Sequence, residues 1–206
     1  MPIKFLSRLS DRRDELFVIA RGEDRPNIIA EATGYLEKEG LYVSSIAFNL
    51  TSPEQDEFSM EIVAKGPERN LERCHLTFES GWRVGGGERS EPRWPKIKWS
   101  RASLFHIGLN TPDRAGIVAA VSKVVGAQDE SVASNPAGNI VHLLGLIDNS
   151  GDSAQGGTPY FNLRANVASE NSKARDAIIQ RVKNAAAKEL GFGADLWIIP
   201  LDQPGR

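Results

Sequence analysis

Two similar turns hold the polar residues whose spacing best suits the binding of a small ligand. The first is Asp24-Arg25-Pro26-Asn27-Ile28, and the second, Asp113-Arg114-Ala115-Gly116-Ile117, starts 89 positions later (113 against 24). Each follows a short apolar run, at 16–20 and at 104–108, and precedes residues with helical spacing. The first-turn N–H groups of a helix are unpaired and carry partial positive charge, so such a turn can hold a carboxylate. Gly116 leaves open the space that a side chain would obstruct.

The two aspartates also have a purely structural interpretation. Asp24 and Asp113 can each cap the helix that follows, with Pro26 in the first turn of one helix and Arg114 at the start of the other. Taken alone, the aspartates favour capping over binding. Both interpretations stay open at this point.

Other residues that could do chemistry are placed less favourably. Cys74 is the only cysteine, which rules out a disulfide within the chain, argues against a cysteine-based metal site and indicates a structural role. His106 and His142 lie within apolar strand patterns, which favours core or interface positions. The glycines at 85–87 do not lie between a strand and a helix, which indicates a linker. We therefore predict no catalytic residue, no metal and no cofactor.

An acylphosphatase-like enzyme is the catalytic alternative. It would need an arginine in a phosphate-binding loop and an asparagine that positions water. Arg25 with Asn49, or Arg114 with Asn162, could fill these roles. Neither pair has a Gly-rich cradle for the phosphate, so this alternative is the less favoured one.

Composition excludes several classes of partner. The 206 residues are 40% hydrophobic and 25% charged, with a formal net charge of −2, which gives no field that would attract nucleic acid or an acidic membrane. No segment reaches the ~20 apolar residues that a membrane span needs. A chain with one cysteine suits a reducing compartment. We predict a cytoplasmic protein without direct contact to nucleic acid or membrane.

The two turns belong to two copies of one element order. Both halves have the pattern β-α-β-β-α-β, which predicts an α+β fold of two tandem ferredoxin-like domains. We expect a loosely ordered leader at 1–14, a first domain with its linker at 15–92 and a second domain at 93–206. The closing strand of the first domain is either 82–84 or 93–99.

The first predicted strand, 16–21, has two apolar faces. Leu16, Val18 and Ala20 alternate with Phe17 and Ile19. Such a strand is expected to be covered on both sides. Because a sheet with helices on one side must bury its other face against something, we predict a homodimer.

The topology alone does not define a function, since several classes of protein share it. An RNA-recognition domain stacks bases on aromatic residues of its central strands, a pattern that 58–62 and 160–164 lack. A soft-metal chaperone needs paired cysteines, and the chain has one cysteine.

The second half resembles an ACT domain, the regulatory module of amino-acid metabolism. The resemblance rests on Leu104-Phe105-His106-Ile107-Gly108 followed by Asp113-Arg114-Ala115-Gly116-Ile117-Val118, with Ile140-Val141, Pro159-Tyr160-Phe161 and Glu189-Leu190-Gly191-Phe192 in agreement. The first half is similar but matches more loosely. Two such modules with a linker resemble the glycine cleavage system transcriptional repressor family, over about residues 15–202.

This resemblance implies a non-catalytic regulatory protein that senses an amino acid and acts through a protein partner. Asn27 stands where the family usually has glycine, and 128–138 is an apparent insertion beside the helix of the second turn. A ligandless protein–protein interaction module is the alternative. The ligand-binding positions that the resemblance implies are Asp113, Arg114, Gly116 and Ile117 in the second turn and Asp24, Arg25, Asn27 and Ile28 in the first.

Overall fold

The computed structural model describes seven segments of the chain, at 3–24, 27–52, 57–81, 104–126, 138–148, 159–189 and 195–201. The strands are β1 (Lys4–Leu9), β2 (Glu15–Glu23), β3 (Tyr42–Ser52), β4 (Glu57–Lys65), β5 (Leu104–Pro112), β6 (Asn139–Asp148), β7 (Tyr160–Ala168) and β8 (Asp195–Pro200). The helices are α1 (Ile28–Lys38), α2 (Glu68–Glu79), α3 (Ile117–Gly126) and α4 (Ser172–Glu189). None of these described helices is long and apolar enough to cross a membrane.

The strands form one antiparallel sheet in the order β1-β2-β4-β3-β6-β7-β5-β8, so the fold is α+β. The halves meet where β3 pairs with β6, from Ser45↔Leu146 to Asn49↔His142. Helix α1 also packs against α3, and buried residues of both halves belong to one continuous core. The two halves are therefore joined through both the sheet and the helix layer.

All four helices pack on one face of the sheet. Strand residues on that face, such as Phe48 and Leu163, are fully buried, and the alternate residues face away from the helices. We call this second side the open face. Several large apolar side chains are exposed on it: Leu6, Ile19, Leu144, Leu146, Tyr160, Trp197 and Ile199. The prediction that the first strand is covered on both sides is thus wrong within a single chain, because Ile19 of β2 is 39% exposed on the open face.

Helix ends follow the expected turn chemistry at two places. Gly40 has a φ of 74° directly after the C-cap of α1, and Gly81 has a φ of 88° after α2. This left-handed conformation costs glycine little because it has no Cβ. Pro67 is the N-cap of α2, as its fixed φ and missing N–H favour.

The helix starts differ from the prediction. Helix α1 begins at Ile28 with Asn27 as its N-cap, and α3 begins at Ile117 directly after Gly116. Asn27 and Gly116 are equivalent, with φ values of 68° and 84°. Asp24 and Asp113 each lie three residues before these positions, so neither caps a helix, and α3 does not begin at Arg114. Because of this left-handed residue, each helix begins about one turn later in the chain than predicted.

Residues 4–9 are not a loosely ordered leader. They form the edge strand β1, which pairs with β2 from Lys4↔Arg21 to Leu9↔Leu16. Phe5 is buried and stacks on Phe78 of α2 with ring centroids 5.5 Å apart. In the first half β1 thus occupies the position beside β2 that β8 occupies beside β5. Both predicted closing strands, 82–84 and 93–99, lie outside the described residues.

Cys74 lies in the core on α2 and is fully buried. Burial raises the pKa of its thiol to about 11, with a smaller contribution from the charge of Glu39. The side chain is therefore a protonated thiol at neutral pH, which suits packing and does not suit a thiolate nucleophile.

Candidate functional site

The turn before α3 faces the other half of the molecule. Gly116 adopts the left-handed conformation, and the N-terminus of α3 then points toward α1. A cleft between the two helices contains Arg114, Gly116 and Ile117 from the turn. From the first half it contains Thr33 and Glu37 of α1. Three of the predicted ligand residues are therefore brought together at the junction of the halves.

The Glu37 carboxylate lies directly against this turn. A Cβ at Gly116 would overlap Glu37 Oε1 and would lie 2.9 Å from Glu37 Cδ. A negative charge is favourable near a helix N-terminus. With Glu37 in this position, the enclosed part of the cleft has a volume of about 10 Å³, which is room for about one water molecule. The chain's own carboxylate thus lies beside the turn that was predicted to hold a ligand's carboxylate.

The first turn faces the second half in the same way. Asn27 Nδ2 donates to the Gly126 carbonyl at the end of α3 over 3.2 Å. Asn27 Oδ1 also lies where a Cβ of Gly126 would be, and it is buried without a hydrogen-bond partner among the described residues. Ser122 of α3 lines the same small cleft and is 3% exposed. The Asn27 side chain therefore occupies this cleft and joins the halves.

A second hydrogen bond between the halves lies beside this cleft. Asn139 at the start of β6 is 4% exposed and donates through Nδ2 to the Asp24 carboxylate. Its neighbour in sequence, Ile140, lines the cleft together with Ile28. Arg25, the remaining predicted residue of this turn, lies outside the described residues.

Asp113 faces a different part of the molecule. It lines a cleft at one end of the open face, together with Pro159 and residues of β2, β3 and β4. Its backbone N–H donates to the Pro159 carbonyl over 2.7 Å. Burial raises the pKa of its carboxyl group, and a hydrogen bond from the Arg114 backbone partly offsets the effect. Asp113 is thus separated from Gly116 by the turn itself.

Replacing Asp113 with asparagine is expected to stabilise the fold near neutral pH. A raised pKa means that the folded state binds the proton more tightly than the unfolded state, so this carboxyl group favours folding most below its usual value of 3.8. That contribution is lost as the pH rises through the folded-state pKa. Urea unfolding of Asp113→Asn and the wild type should give a stability difference that grows from pH 3 to pH 7. A difference independent of pH would contradict the assignment.

Within the described part of the chain, the other candidate residues lie in separate places. His142 Nδ1 and Asn49 Oδ1 are 2.7 Å apart across the junction, on the open face, so His142 is an exposed interface residue. His106 Nδ1 is 2.9 Å from Asn166 Oδ1 on the same face. Asn162 also faces this side, whereas Arg114 lines the cleft between the helices. No group of metal-binding side chains occurs among the described residues.

Four of the described polar residues that line the two turn clefts were not identified from the sequence. Thr33 and Ser122 are buried polar residues within the apolar faces of α1 and α3, which is a detectable signal. Glu37 and Asn139 carry no such signal, because their positions depend on how the halves meet. A single half cannot show which side chains its turn will contact.

Comparisons with known proteins support the fold. No protein-family model and no curated protein matches the chain. Aspartate kinase from Synechocystis matches with a TM-score of 0.51 and 16% identity over 90% of this chain. The chain spans 28% of that kinase. At this identity the likeness shows a shared fold and nothing about function.

Two further solved structures match with lower scores. A protein of unknown function from Galdieria sulphuraria has a TM-score of 0.37 and 16% identity over 90% of this chain and 97% of its own. A candidate glycine cleavage system transcriptional repressor has a TM-score of 0.30 and 14% identity over 91% of this chain and 98% of its own. These scores are too low to support an argument about the family.

Proposed function

We propose that this chain is a non-catalytic regulatory protein of the cytoplasm that senses an amino acid through tandem ferredoxin-like, ACT-like domains. The observation that carries the proposal is the contact of each left-handed turn with the opposite half. Gly116 lies against Glu37 of α1, and Asn27 lies against Gly126 of α3. A ligand at either turn would therefore contact both halves.

The carboxylate of the ligand would replace that of Glu37 at the N-terminus of α3. The open N–H groups of that helix suit a carboxylate, and Arg114 at the edge of the cleft adds a positive charge. Because the cleft holds about one water molecule with Glu37 in place, the ligand must displace this side chain of α1. This movement would change the surface that a protein partner recognises.

Calorimetric titration of the twenty amino acids into the folded protein tests the proposal. At least one is expected to bind. Glu37→Gln should bind that amino acid more tightly, because the competing charge is removed from the turn. If none of the twenty amino acids gives heat with either protein, the sensor proposal fails and the ligandless interaction module is favoured. Turnover of an acyl phosphate would instead favour the acylphosphatase-like enzyme.

The proposed homodimer would form through the open face. The sheet has eight strands spaced about 4.8 Å apart, and a strand of roughly nine residues with a rise of about 3.3 Å per residue sets its other dimension. The face therefore has an area of about 1,100 Å². A standard interface needs about 800 Å² per partner. Because its charges are nearly balanced, the face does not strongly repel a copy of itself. Its described strands carry five basic side chains, Lys4, Arg8, Arg21, Lys65 and Arg164, and six acidic ones, Glu15, Glu23, Glu57, Glu61, Asp148 and Asp195.

Light scattering after size exclusion is expected to give twice the chain mass of 22.5 kDa for the wild type. Leu146→Glu, which places a charge among the exposed apolar residues of the open face, should give a monomer. Leu76→Glu is the matched control, because Leu76 is 67% exposed on α2 and lies on the helix side. A monomeric wild type would contradict the dimer.

A further inference from the structure

The strands that join the two halves diverge at one end. The ladder between β3 and β6 covers 45–49 and 142–146, although β3 starts at Tyr42 and β6 continues to Asp148. The pairing of β3 with β4 has a register shift between Val43 and Ser45, where the β3–β6 ladder ends. A bulge of this kind bends a strand and ends its pairing. A gap between the halves therefore opens toward the end of the sheet.

This gap forms a cleft much larger than the two at the turns. Its volume is about 360 Å³, against about 10 Å³ for the enclosed part of each turn cleft. A volume of 300 Å³ or more is typical of small-molecule sites. The lining comes from both halves: Glu15, Phe17, Tyr42, Ser44, Ser45, Val63, Lys65, Asp113, Ile147 and Pro159.

The charges of the described lining residues leave one carboxylate without an opposite charge. Lys65 Nζ is 3.0 Å from Glu15 Oε1, and this hydrogen bond raises the pKa of Lys65. These two opposite charges balance each other. Among the described lining residues, the other carboxyl group is that of Asp113, whose Oδ1 is buried without a hydrogen-bond partner in the described part of the chain. A positive charge in the cleft would therefore be electrostatically favoured.

The aromatic residues of the lining favour an organic cation over a metal ion. Tyr42 and Phe17 present rings to the cleft, and the Phe17 ring already has the Arg8 guanidinium carbon 5.5 Å from its centroid. Aromatic rings attract ammonium and guanidinium groups through their quadrupoles. Ser44 and Ser45 add hydroxyl groups along the part of β3 where the ladder with β6 ends.

We propose that this cleft is a second binding site, which takes a small organic ammonium ion. The ammonium group donates hydrogen bonds to the Asp113 carboxylate, and its organic part packs against Tyr42. The site is separate from the proposed amino-acid site, because Asp113 and Gly116 line different clefts. It does not depend on whether an amino acid binds at the turns.

Benzylamine is a suitable probe, and benzyl alcohol, of nearly the same shape but uncharged, is its control. In amide NMR titrations of the wild type, benzylamine should shift the signals of Tyr42, Ser44 and Ser45, and benzyl alcohol should bind at least about tenfold more weakly. The Asp113→Asn variant should also bind benzylamine at least about tenfold more weakly than the wild type does. Asp195→Asn, which removes the same charge from β8 outside the cleft, should bind like the wild type.

A second variant tests the site without changing its charge. Ser45→Phe fills the cleft from β3 and should prevent the shifts while the fold, followed by circular dichroism, is retained. The proposal is overturned if benzylamine binds Asp113→Asn as tightly as the wild type, if benzyl alcohol binds as well as benzylamine, or if millimolar benzylamine leaves the three signals unchanged.

Discussion

Phe5→Ala is expected to lower the free energy of unfolding by about 3 kcal/mol, the lower end of the range for a buried phenylalanine. Phe5 is 7% exposed, and its ring stacks on Phe78 at a centroid distance of 5.5 Å. Truncation would leave a cavity between β1 and α2 and remove the stacked pair. Denaturant unfolding followed by circular dichroism measures the loss.

The matched control is the next residue of the same strand. Leu6 points to the open face and is 63% exposed, so Leu6→Ala should change stability by no more than about 0.5 kcal/mol. Similar small effects at both positions would mean that residues 4–9 do not pack as an edge strand.

Phe48→Ala is expected to have a larger effect, about 3–5 kcal/mol. Phe48 is fully buried in β3, the strand that joins the halves, and its ring stacks on Phe58 at 5.4 Å with an interplanar angle of 19°. Because the two halves share a sheet and a core, unfolding should remain one cooperative transition at a lower denaturant midpoint.

Leu76→Ala is the control for this variant, since it removes a similar apolar side chain from an exposed position on α2. It should leave the midpoint nearly unchanged. Two separate transitions in Phe48→Ala, with the second half as stable as in the wild type, would contradict the joined core.

The sequence was sufficient for much of the fold because local patterns define it. The alternation in β4 and β7 predicted strands with one buried face, as their burial patterns show. Gly40 and Gly81 marked the ends of α1 and α2, since glycine adopts the left-handed conformation at low cost.

Features that depend on distant contacts were not predictable in this way. Phe5 is the one buried residue of β1, and the apolar Leu6 next to it is exposed, so the alternation of β1 is weak. The pairing of β3 with β6 depends on the fit of two complete halves. The local sequences of β1, β3 and β6 do not show which strand each of them will pair with.

In the candidate site too, the residues of a local motif were predictable and those brought in from the other half were not. Gly116 and Ile117 were recognisable from a turn motif, but Glu37, which contacts the turn, comes from the other half. Asp113 belongs to the same motif and yet lines another cleft, because the chain reverses between it and Gly116. Asn27 was recognised as a departure from glycine, and its hydrogen bond to Gly126 gives that departure a structural role.

The most direct test of the amino-acid site is a calorimetric comparison of Gly116→Ala and Gly81→Ala with the wild type, using the amino acid that the wild type binds. The two glycines have nearly the same positive φ, 84° and 88°, which strains any other residue, so both substitutions carry a similar backbone cost. A Cβ at Gly116 would enter the cleft, whereas a Cβ at Gly81 would meet nothing within 4 Å. Gly116→Ala is expected to bind that amino acid at least about tenfold more weakly, while Gly81→Ala should bind it like the wild type. Equal affinity in all three proteins would contradict the amino-acid site.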